Sequence, residues 1–158
     1  MLGVRQVLFF QFLSKLYKDY SFISFMRYDY ALDIQKKAEE ISRMLFPYVK
    51  IERLKCFRSY GTSSRGTIAR CHALGKLMQK AMDTKAFYVL EFLSERFDKM
   101  NSEDKIKIII HELMHIPKSF GGGFKHHDFV CDKNVEKYYK EYKLRIEKYE
   151  VQKDLFSV

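Results

Sequence analysis

The chain has 158 residues, a formal net charge of +9, 47% apolar and 16% aromatic residues, three cysteines and no tryptophan. That length suits one domain with an appendage, and so much core material excludes a disordered chain. No apolar run approaches the ~20 residues that span a bilayer, so no membrane role is expected.

Residues 1–25 carry Arg5 followed by the apolar run Val7-Leu8-Phe9-Phe10. Lys15, Lys18 and Asp19 follow where a secretory signal would need small residues. The segment therefore reads as an N-terminal extension, either an extra amphipathic helix or the product of a start codon upstream of Met26. Residues 26–150 are expected to hold the domain and 151–158 a short tail. Ala31 to Phe46 reads as a helix that Asp33 can cap, with Ile34, Ala38, Ile41 and Leu45 at helical spacing, ended by Pro47. Val49 to Phe57 alternates like a strand with a slip, and Ser59 to Gly66 is a polar, turn-rich loop. Thr67 to Met78 reads as a second strand or hairpin arm. Ala86 to Leu93 is the best strand, a nearly continuous apolar run suited to burial. A helix from Asn101 or Ser102 follows, with Glu103 and Asp104 in its first turn and Ile106, Ile109, Ile110 and Leu113 on its apolar face. It should stop near Ile116, because the residue before Pro117 disfavours the α region. Gly121-Gly122-Gly123 lets the chain reverse, and a last amphipathic helix runs from about Asp132 to Tyr149.

Cys56, Cys71 and Cys131 lack CxxC spacing, which argues against a disulfide framework or a cysteine zinc knuckle and for reduced thiols in a cytoplasmic protein. The positive charge is concentrated. Lys50 to Lys80 holds eight basic residues against Glu52 alone. Such a surplus can attract a nucleic acid, although it also suits a solvated basic face.

The chemistry sits in His111-Glu112-Leu113-Met114-His115, an HExxH motif. Residues i and i+4 share one helix face, so both imidazoles can reach one ion. Neutral imidazole suits zinc, and Glu112 can lean over the open side of the metal as general base. At this composition a chance HExxH arises in about one such sequence in a hundred. A catalytic zinc keeps three protein ligands and one open position. Four of the five histidines fall within Glu112's neighbourhood, from His111 to His127, so the third ligand should come from just after the glycines. His127 is preferred, His126 is the close alternative and Asp128 stands behind both. His72 is the remaining histidine, and a Tyr, His72 or an Arg of the basic segment could stabilise an oxyanion.

The stretch Tyr88 to Asp98, the segment Lys107 to Gly122 around HELMHIP, and His126-His127 resemble a zincin-like metallopeptidase family of archaea and phages. They are more remotely similar to SprT-type proteases. Arg58-Ser-Tyr-Gly, Ser64-Arg65 and Ala69-Arg70 look like that family too. The resemblance covers roughly Met26 to Tyr142. It implies an α+β, zincin-like fold, with a small mixed β-sheet packed on the HExxH helix and flanking N- and C-terminal helices. It implies one Zn2+ at His111 and His115 with a third ligand at His126 or His127, Glu112 as base, and a peptide or protein substrate. The chain lacks HExxHxxGxxH, while Glu136 and Glu141 keep a glutamate-ligand variant open. The SprT-type cysteine zinc module is missing.

The leading expectation is a zinc-dependent metallopeptidase. A competing one is a nucleic-acid-associated zinc protein, either a protease acting at DNA or a structural zinc site. In that case Phe57 and Tyr60 would stack and Arg58, Arg65 and Arg70 would contact phosphates or substrate. A third is a toxin–antitoxin or regulatory partner whose metal site no longer catalyses.

Overall fold

The computed structural model describes residues 26–62 and 64–155, so the expectations for residues 1–25 lie outside the described residues. The chain runs β1 (Arg27–Tyr30), α1 (Leu32–Leu45), a 3-10 turn (Ile51–Arg53), β2 (Leu54–Tyr60), β3 (Ala69–Ala73), α2 (Lys76–Ala81), β4 (Tyr88–Leu93), α3 (Ser94–Phe97), α4 (Ser102–Met114) and α5 (Asp132–Leu155). The expected α+β class is what is observed: among the described residues, one mixed sheet of order β1-β2-β4-β3 with five helices. β2 and β4 pair in parallel, and the other two pairings are antiparallel.

β4 lies at the centre because its apolar run can be buried. Tyr88, Leu90, Phe92 and Leu93 are wholly inaccessible. Registration sets Leu54 and Cys56 of β2 beside Tyr88 and Leu90, and Cys71 of β3 on the other side of Leu90. This face carries the core, joined by Ile34, Ala38 and Ile41 of α1, Ile109, Ile110 and Leu113 of α4, and Val135, Tyr139 and Tyr142 of α5. Each fully buried Leu or Ile stabilises by roughly 1.5–3 kcal/mol, so this packing fixes α4 far more firmly than helix propensity does.

Several expectations are corrected. The Val49–Phe57 strand begins only at Leu54, because Ile51–Arg53 winds as a 3-10 turn. Thr67–Met78 is not one strand. β3 ends at Ala73 and Gly75 leads into α2. Asp33 does not cap α1. Ala31 holds the cap position, and Asp33 in the first turn grips Arg58 instead, at 2.6 and 2.7 Å. That guanidinium holds the Asp33 carboxyl down at about 2. A helical residue that periodicity places on the core face is polar: buried Gln35. Its amide donates to Leu54 O and accepts from Cys56 N–H, so α1 is hydrogen-bonded to β2 like an extra strand.

α4 follows its sequence signals. The Asn101 side chain accepts from Asp104 N–H, and the helix stops at Met114 with His115 as its C-cap, two residues before Pro117. The last helix runs past Tyr149 to Leu155. No helix among the described residues is long and apolar enough to cross a membrane.

Candidate metal centre

α4 presents its last turn to a cleft of about 550 Å3. The floor is His111, Glu112 and His115. One wall is β3, from Ala69 to His72, and the other is the segment Phe124 to His127. One side chain nitrogen each from His111, His115 and His127 lies within 4.8 Å of the others. The ring centroids are 5.1 Å apart for His111–His115, 4.9 Å for His115–His127 and 5.9 Å for His111–His127.

The donor set fits a divalent ion. Bonds of ~2.1 Å in a tetrahedron put donors ~3.4 Å apart, which small ring rotations reach from the observed spacing. Burial lowers the pKa of His111, and the neighbouring His115 and His127 lower it further. His115 is lowered too, chiefly by burial. Both rings therefore favour the neutral form that binds metal. His115 Nδ1 lies 2.9 Å from Lys125 O. Donating there fixes the tautomer and leaves Nε2 for the ion.

Glu112 is buried beside the histidines, 6% exposed. Burial pushes its carboxyl up to about 7, against a hydrogen bond from the backbone of Cys71 that lowers it. A carboxyl poised near neutrality can both take and return a proton.

The other candidates fall as follows. His126 lines the cleft but is not among the three converging donors, and Asp128 is exposed outside it. Glu136 pairs with Lys107 and Glu141 with Arg145, both on α5 away from the cleft lining. Arg70 lines the cleft and pairs with the buried Glu91 at 3.2 Å, while His72 bonds the same carboxylate at 2.7 Å. Arg58 is held between Asp33 and Asp98, and Arg65 is exposed on the β2–β3 loop. The structure therefore does not gather the three arginines into one patch.

Sequence reasoning missed the backbone partners, Lys125 O and the N–H of Cys71. It also missed Tyr88 and Gln79, which hold the glycine turn. A tyrosine inside a buried apolar strand was the available signal, since its hydroxyl must find partners there.

The chain was compared with known proteins. The family model described as Putative phage metallopeptidase matches residues 26–158. No curated protein and no solved structure matches the chain.

Proposed function

Because the chain belongs to the Putative phage metallopeptidase family, we propose that it is a zinc-dependent peptidase with Glu112 as general base. The observation that carries this reading is the convergence of His111, His115 and His127 within 4.8 Å beside a buried carboxyl. When bound there, zinc supplies Lewis acidity toward a peptide carbonyl and toward water.

The chain's own residues do the rest. Glu112 takes the proton of the attacking water and returns it to the leaving amine. Its burial keeps bulk water from competing for that proton. His115 is held by Lys125 O, so its ring does not have to be ordered when the metal arrives. β3 serves as the docking strand for an extended substrate. β4 is enclosed between β2 and β3, whereas β3 is the edge strand that walls the cleft. Leu74 N–H bonds Phe87 O and Leu93 N–H bonds Ile68 O, so by alternation Ala69, Cys71 and Ala73 turn their backbone groups outward. Cys71 serves Glu112. Ala69 and Ala73 are left to pair with a peptide laid along the cleft.

Metal removal tests the reading. Dialysis against a zinc chelator should abolish cleavage of an unfolded protein substrate, and stoichiometric Zn2+ should restore it. Cleavage that survives complete removal of metal would contradict the proposal.

A further inference from the structure

The third histidine is not on a helix. His127 follows a triple-glycine turn, an unpromising platform for a ligand that must be held to a few tenths of an ångström. The structure shows how that turn is fixed. Tyr88 is wholly buried at the start of β4, and its hydroxyl grips the turn twice. It accepts from Gly122 N–H at 2.9 Å and donates to Gly123 O at 2.9 Å. Its ring packs on Phe120 just before the turn, with centroids 4.7 Å apart. Phe120 has φ +46, a left-handed conformation that a bulky residue avoids unless packing imposes it. From α2, Gln79 Nε2 donates to Gly121 O at 3.1 Å and to Leu74 O at 2.6 Å, tying the turn to the end of β3.

Downstream, Lys125 N–H bonds His115 O at 2.8 Å and Lys125 O receives His115 Nδ1 at 2.9 Å. Only three residues lie between Gly123 and His127. Resting on the peptidase reading above, we infer that Tyr88 is a positioning residue for the metal site. Its hydroxyl sets the path of the glycine turn and thereby delivers His127 to the ion, and Gln79 supports it from the other side. Tyr88 touches neither metal nor substrate. This explains why a polar side chain opens the most apolar strand: phenylalanine would fill the space but leave the turn unheld.

The test is a double-mutant cycle on zinc affinity, read by competition with a chromogenic chelator. Tyr88→Phe should weaken zinc binding roughly 10- to 100-fold, as loss of a ligand's supporting partner does. In a His127→Ala background the same change should have less than about a twofold effect, since distant or uncoupled changes simply add and coupled ones do not. Cobalt-substituted Tyr88→Phe should lose visible absorption intensity as the ion moves from four-coordinate toward higher coordination. Should Tyr88→Phe fail to fold, Gln79→Ala, on the half-buried face of α2, carries the same cycle. Equal losses with and without His127, or unchanged zinc affinity in Tyr88→Phe, would overturn the inference and leave the peptidase reading standing. A wild-type protein that binds no zinc would remove both.

Discussion

Glu112→Gln should leave zinc bound and slow peptide cleavage by roughly 10²- to 10⁴-fold, the contribution of a positioned general base. Glutamine has nearly the same shape and still accepts from the Cys71 backbone, so the pocket beside the histidines stays filled. What it cannot do is take a proton. Burial gives the experiment a second readout. In the metal-free protein the carboxyl pushed up to about 7 costs stability when it ionises in the fold, so there an uncharged amide should not lower the melting temperature and can raise it at alkaline pH. Folded-state ionisation is disfavoured here, so the wild type loses this part of its stability as pH climbs above the ordinary value of 4.5, while the variant does not. Wild-type turnover by Glu112→Gln with zinc in place would remove the base assignment.

Gly122→Ala should be the most damaging change in the glycine turn. Gly122 has φ +86, and an added Cβ would fall 2.3 Å from both Gln79 Nε2 and the carbonyl oxygen of Leu74. The amide of Gln79 can swing away, but the Leu74 carbonyl belongs to the backbone that follows β3 and cannot. Strain of this kind costs about 1–3 kcal/mol, and relieving it means moving the segment that carries Lys125 and His127. Zinc affinity should therefore fall together with thermal stability. The neighbours supply the control. A Cβ on Gly123 meets nothing within 4 Å, and on Gly121 only Ser119 Oγ at 3.6 Å. Gly121→Ala and Gly123→Ala should keep zinc affinity within a few-fold of wild type. Equal damage from all three would show that the turn needs general flexibility rather than one close approach.

These two residues mark what can be read from sequence and what cannot. The HExxH helix was legible because everything that makes it is local: a cap at Asn101, apolar residues at helical spacing, two histidines one turn apart and a stop before Pro117. β4 was legible as a buried strand from its composition, but its neighbours were not. Pairing partners lie dozens of residues away, and nothing in Ala69–Ala73 announces that it, rather than Tyr88–Leu93, forms the edge beside the cleft. The strand boundaries slipped for a similar reason. Leu54 and Cys56 are buried under α1, whose buried Gln35 bonds the backbone of both. His126 and His127 stayed unresolved because a one-residue change of phase in a loop has no periodicity to decide it. On the inference drawn above, Tyr88 and Gln79 set that phase, 39 and 48 positions before His127 in the chain. The arginines show the converse case, in which neighbours in sequence part in the fold. Eight basic residues between Lys50 and Lys80 look like one surface in sequence, yet Arg58 is neutralised by Asp33 and Asp98 on one side and Arg70 by Glu91 on another.

The proposed peptidase chemistry stands on three histidines that hold one zinc ion and leave a coordination position open beside Glu112. Zinc K-edge X-ray absorption of the zinc-loaded wild-type protein tests it most directly. The expected result is one ion per chain with three imidazole nitrogens and one exchangeable oxygen at roughly 2.0–2.1 Å. A protein that retains no zinc, or an ion closed by four protein ligands, would contradict it.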